Sequence, residues 1–253
     1  MDIETVLTGF AALDETALAR PWSWQGRTLD LRYALYRAVE EAQEAYVRVA
    51  AGPHPESRRI LALAQRAFGD LRGLLVGLPA NLLAQAPPLG EWSVREVIAH
   101  MALVEQRYAL HTVYAVERTD ADPVRLPDSR LPPLTLGDDG AVDMLARLEA
   151  ARAETNRRLD NVAPAAMTRP TIWAGCDVDV RFRLHRFGSH LIEHTVQCEK
   201  TLAALGWFPV EGRRVVRRIT AALGELEGCG AASEASAIEA RLAGRYAALT
   251  ITV

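Results

Sequence analysis

Apolar residues recur at three- and four-residue steps along most of this chain, and that period commits it to helices. Leu31, Leu35, Val39, Ala42, Tyr46 and Val49 follow it up to Gly52-Pro53, a common helix exit. Ile60, Ala64, Phe68, Leu71 and Leu75 define a second helix over about 57–78, and Pro79, Pro87, Pro88 and Gly90 then mark a loop. The third helix has the clearest start. Ser93 is an N-cap, Glu96 completes a capping box, and Trp92 with Val97 forms a hydrophobic staple. It runs to about Arg118. A fourth spans about 139–161 with Val142, Leu145, Leu148 and Leu159 facing inward. A fifth covers about 180–205 and stops at Gly206. The sixth, about 211–227, carries Val215, Val216, Ile219, Leu223 and Leu226, and Gly228-Cys229-Gly230 breaks it. An Ala-rich helix follows over about 234–247, and the β-prone residues 249–253 read as an edge strand or a frayed end. The stretches 120–140 and 164–179 read as irregular, the first crossing one end of the bundle or covering a site.

The βαβ alternation of a nucleotide-binding sheet is missing, and no internal repeat or low-complexity linker is legible. The expected fold class is therefore all-α. Four consecutive long helices over about 57–206 form a four-helix bundle. An extra N-terminal helix (29–51) and a C-terminal helical extension (207–253) pack on it, giving a single domain over 1–253.

Composition narrows the function classes. The 253 residues are 49% hydrophobic with a formal net charge of -3, which gives no global electrostatic case for nucleic acid or an anionic membrane. Arg213, Arg214, Arg217 and Arg218 make a local basic stripe, but Glu211, Glu225 and Glu227 stand at its ends and few aromatics interleave; the expected reading is a solvated face. No run approaches the ~18 apolar residues of a membrane span. Three widely spaced cysteines, Cys176, Cys198 and Cys229, suggest neither a disulfide framework nor a zinc knuckle. With no basic, apolar leader after Met1, a cytoplasmic setting is expected.

The chemistry concentrates in histidines. His190 and His194 stand one turn apart on the fifth helix, so both imidazoles point the same way and can meet one metal ion. The spacing alone is common in helices. His100 strengthens it, because it shares an inward face of the third helix with Val97, Val104 and Tyr108. Three imidazoles in one core each need a polar partner, and a shared ion satisfies all of them. Glu193 and Gln197 lie along the edge of the same face. Either can hydrogen-bond a ligand imidazole or a metal-bound water, while Glu193 can equally pair with an arginine. His54, His111 and His185 read as structural or surface residues, and Cys198 as a small core hydrophobe. Trp173 reads as a loop anchor or a pocket wall.

The segment Leu89-Gly90-Glu91-Trp92-Ser93-Val94-Arg95-Glu96-Val97-Ile98-Ala99-His100 resembles the start of the metal-bearing second bundle helix of the DinB-like (DNA-damage-inducible) superfamily. The stretch from Leu184 to Gly206, with His190 and His194, resembles that family's last bundle helix. The family includes bacillithiol- and mycothiol-dependent transferases. The resemblance, over about 57–206, implies His100, His190 and His194 as ligands of a divalent metal: zinc, nickel or iron. Some thiol-dependent members carry a glutamate at the position of His190; this chain keeps the all-histidine form. Three ligands leave a coordination position open, as in catalytic sites. The resemblance thus implies a metal-dependent thiol S-transferase or hydrolase acting on a small molecule, a low-molecular-weight thiol among the candidates, and a homodimer. The alternative is a non-catalytic helical binding or scaffold protein with a structural or vestigial site.

Overall fold

The computed structural model describes residues 1–132 and 141–250. In chain order its elements are α1 (Ile3–Ala11), α2 (Glu15–Leu18), β1 (Pro21–Trp24), β2 (Arg27–Asp30), α3 (Leu31–Ala50), α4 (Glu56–Leu75), α5 (Ala80–Ala84), α6 (Val94–Glu117), α7 (Ala141–Leu159), α8 (Pro164–Met167), β3 (Pro170–Trp173), β4 (Cys176–Asp179), α9 (Val180–Ala204), α10 (Glu211–Gly228) and α11 (Ala232–Thr250). The architecture is all-α with two small antiparallel hairpins. No helix among the described residues is long and apolar enough to cross a membrane. The chain divides into two compact units: His54–Ala64 with Ala80–Leu205, and Met1–Pro53 with Gln65–Pro79 and Gly206–Val253.

The first of these carries the histidines. The opening turns of α4 join α6, α7 and α9 around a core that includes Ile60, Leu61, Ala64, Leu159, Leu184 and Phe187. The α6 capping box forms as expected, with Ser93 N–H donating to Glu96 Oε2 at 2.8 Å and Glu96 N–H to Ser93 Oγ at 3.3 Å. Trp92 departs from the staple: 42% exposed, its ring lies 5.2 Å from that of His100. Helices α6 and α9 run antiparallel. Thr201 Oγ1 donates to Trp92 O at one end (3.2 Å), and Arg183 Nε to Thr112 Oγ1 at the other (3.3 Å). On α7, Leu148 and Leu159 are buried as expected and Leu145 is half-buried; the Val142 side chain lies outside the described residues, as does the part of the 120–140 connection over 133–140. A buried ion pair joins α6 to α7, Arg152 Nη1 donating to Glu105 Oε1 at 2.8 Å, and Thr155 Oγ1 donates to the same oxygen.

The stretch 164–179 is regular after all. It forms α8 and the β3–β4 hairpin, registered Pro170↔Asp179, with Ala174 (φ 50) and Gly175 (φ 83) making the turn. Positive φ at both central positions matches the right-handed strand twist. Asp179 then caps α9 through Phe182 N–H at 2.8 Å.

The second unit gathers α1, α3, α10, α11 and the last turns of α4. Its core includes Val6, Phe10, Leu35, Val216, Ile219, Leu226 and Leu242. Residues 65–79 belong here rather than with the rest of the expected 57–206 core because α4 and α10 approach at glycines. A Cβ on Gly69 would stand 2.2 Å from Thr220 O, and one on Gly224 2.5 Å from Gln65 O. The basic stripe of α10 is partly internal, against expectation. Arg213 is 6% exposed and donates to Leu74 O and Val76 O, and Arg217 pairs with Asp70 at 2.7 Å. Helix α11 continues through Leu249, where strand or fraying was expected; residues 251–253 lie outside the described residues.

The two units also repeat one local design, contrary to the expectation of no repeat. Arg20-Pro21, Trp24, Gly26, Asp30, Arg32 and Leu35 match Arg169-Pro170, Trp173, Gly175, Asp179, Arg181 and Leu184 in order and spacing. Leu31 N–H donates to Arg20 O at 2.8 Å, and Val180 N–H to Arg169 O at 3.2 Å. Arg32 pairs with Asp30 and with Glu211, the first residue of α10. Arg181 pairs with Asp179 and with Glu56, the first residue of α4. The match is hard to read along the chain because only the hairpin and the start of the next helix keep a constant offset, while α4 precedes its hairpin and α10 follows its own.

Candidate metal centre

Antiparallel packing brings His100 of α6 opposite His190 and His194 of α9. Ring centroids lie 5.4 Å apart for His100–His190, 4.7 Å for His100–His194 and 4.3 Å for His190–His194. One ligand nitrogen from each ring lies within 4.8 Å of the others, the one such group of three among the described residues. Two nitrogens bound to one ion at ~2.0–2.1 Å in tetrahedral geometry stand ~3.4 Å apart, so small χ adjustments close the set. His194 Nδ1 lies 2.7 Å from Gln197 Oε1. Because that oxygen only accepts, Nδ1–H donates and Nε2 keeps its lone pair free for a metal.

Burial keeps His100 and His190 neutral, as metal ligation requires. Desolvation, then repulsion from His194, holds the His100 pKa below its ordinary value. His190, 7% exposed, is pushed down to about 3 by desolvation first, with His194, His100 and Arg186 adding to it. Donor set and proximity fit a divalent ion.

Comparison with protein families matches residues 63–198 to the DinB superfamily. The chain belongs to the DinB superfamily. The curated proteins contain no match to it.

In this DinB chain the triad stands at one end of a cavity of about 840 Å³ between α6, α9 and the β3–β4 hairpin. The cavity wall extends beyond the triad. His111, expected to be structural or surface, lies on it, and its pKa is lowered to about 4 by desolvation first and then by Arg183, Arg107 and Arg125. Trp173 lines it as well. Its Nε1–H donates to Tyr108 Oη at 3.4 Å, and the Arg186 guanidinium stacks 4.7 Å from its ring. Arg183 and Arg186 were legible in principle, since they stand seven and four residues before His190 and so share its face.

Glu193 and Gln197 separate. Gln197 orients His194, whereas the Glu193 carboxylate is 64% exposed on the cavity wall, 3.8 Å from Arg186 Nη2. Cys198 is fully buried and its thiol is pushed up to about 12 by desolvation, so it offers no thiolate at neutral pH. His185 is exposed. In the other unit the repeat puts Glu41 and Ala45 at the positions of His190 and His194, and Glu41 is taken up by Arg241 and Arg245.

Proposed function

We propose that this DinB protein is a metal-dependent enzyme, a thiol S-transferase or a hydrolase, whose zinc, nickel or iron ion is held by His100, His190 and His194. The observation that carries this reading is the cavity beside the triad. A purely structural ion is closed off by a fourth protein ligand, whereas a reacting site needs room for a small molecule. A purely structural or scaffold role gives no reason for that space, and turnover of the bound molecule is what separates an enzyme from a binding protein. When bound, the ion supplies Lewis-acid activation of an oxygen or sulfur nucleophile.

The chain's own residues do the rest. Gln197 fixes the His194 ring, and burial holds His190 and His100 as lone-pair donors. Glu193 is the one carboxylate on the cavity wall among the described residues, suited to accept a proton at its Oε atoms from the reacting group. Val104, Tyr108, Ile172 and Trp173 give the small molecule an apolar wall. In this reading the small molecule or its co-substrate is a low-molecular-weight thiol.

Elemental mass spectrometry of untagged protein tests the proposal. Near-stoichiometric metal in the parent should vanish in His100→Ala, His190→Ala and His194→Ala. Gln197→Ala should retain the ion with ~10–100-fold weaker affinity, the usual consequence of removing a ligand's hydrogen-bond partner. A parent that takes up no zinc, nickel or iron overturns the reading.

A further inference from the structure

The cavity holds more positive charge than its walls neutralise. Arg107, Arg125, Arg183 and Arg186 line it against one carboxylate, that of Glu193. Arg125 has a partner in Asp128 at 3.1 Å. Arg183 is only 4% exposed, yet it pairs with no carboxylate among the described residues. It donates to Thr112 Oγ1 at 3.3 Å and to Ile172 O at 2.7 Å, and Nη2 makes no hydrogen bond to a described residue. Arg186 Nε is buried without a hydrogen-bond partner.

The internal repeat shows that the fold does not require this arrangement. Counted from the capping Asp30 and Asp179, the position of Arg183 is Ala34 in the other unit, where it is fully buried. The position of Arg186 is Arg37, which is neutralised there by Glu40, Glu41 and Glu44. In the histidine-bearing unit the counterpart of Glu41 is His190, and the counterpart of Glu44 is the distant Glu193. A guanidinium has thus been put where the scaffold accepts a methyl group, and another keeps only Glu193, at 3.8 Å, of the three carboxylates that its counterpart has. Burying unpaired charge is costly unless a ligand compensates it.

We propose that Arg183 and Arg186, helped by Arg107, form an anion subsite that binds a carboxylate or phosphate group of the substrate. Arg183 and Arg107 lie seven residues from His190 and His100 respectively, ~10 Å along each helix at ~1.5 Å per residue. The ligand therefore carries an anionic oxygen group about that far from the atom that meets the metal, with an apolar span against Tyr108 and Trp173. The metal-binding end of this ligand rests on the proposed function above; the anionic end stands on the arginines.

Trp173 in the wall supplies a fluorescence readout. Zinc-loaded full-length protein is titrated with ω-mercaptocarboxylates of increasing chain length, the matching mercaptoalcohols and the matching mercaptophosphonates. Metal-free protein is titrated with thiol-free carboxylates and alcohols of the same lengths. The anionic probes should bind at least ~10-fold tighter than the alcohols on both forms, with an optimum chain length on the zinc form. Whichever anion binds more tightly identifies the group as carboxylate or phosphate. Arg183→Ala, which copies the residue of the other unit, and Arg107→Gln, at an exposed position, should abolish or reduce the preference while metal content is unchanged. Equal affinity for anion and alcohol on both forms overturns the subsite. Absence of metal with a persisting anion preference overturns the metal reading and leaves the subsite standing.

Discussion

Among single residues, His111 shows how the cavity acts on its wall. Its folded-state pKa of about 4 lies below the ~6.5 of an unfolded histidine. Between those values the unfolded chain binds a proton that the folded chain refuses, so stability falls as pH drops from about 6.5 to about 4 and is unaffected above that window. In metal-free protein, urea unfolding at pH 7 and pH 5 should therefore show a smaller loss in His111→Asn than in the parent. Parallel losses would mean that the ring is freely solvated. The histidine triad was legible from spacing and resemblance because HxxxH on a helix has one geometric meaning. For the arginines beside it, spacing gives the shared face but not the burial, because an arginine in a sequence is charged surface by default. Only assembly reveals one that is buried and unpaired. The same holds for Arg152, fully buried against Glu105.

Helix starts and stops announce themselves through local bonds. Ser93 with Glu96 and Gly206 (φ 79) delimit the two helices that carry the triad about where the residue types require. The hairpin strands are four residues each and partly exposed, too short for a period of two to mark them even where it is present, as at Trp22 and Trp24. Close helix approach is similarly invisible in one dimension. Gly69 sits mid-helix, where alanine would ordinarily gain about 1 kcal/mol. Here an added methyl meets a backbone oxygen at 2.2 Å, and overpacking of this kind costs ~1–3 kcal/mol. The balance of the two is a loss of up to about 2 kcal/mol for Gly69→Ala in urea unfolding; a higher midpoint would mean that α4 and α10 separate freely.

At the scale of the whole chain, two units of related design carry one triad. Glu41 and Ala45 stand where the second unit would need histidines. One equivalent of metal per chain is therefore expected, and not two. An ion that binds only the folded chain stabilises it by ~2.7 kcal/mol at a hundred times its Kd, or about 5–10 °C in melting temperature for a chain of this size. Zinc should produce that shift in the parent and not in His194→Ala. A shift retained in the variant would point to metal bound elsewhere. Read residue by residue, the chain declares its helices and their caps, because hydrogen-bonding patterns and periodicity within some 20 residues carry both; its family and the three histidines of the candidate site follow from the resemblance of two distant helices. The partition of α4 between two cores, the pairing of Glu56 with Arg181 and Glu211 with Arg32, and the cationic cavity beyond the triad arise between residues far apart in sequence. Their energies depend on which surfaces meet and which charges lose water, and those quantities exist only once the chain is folded.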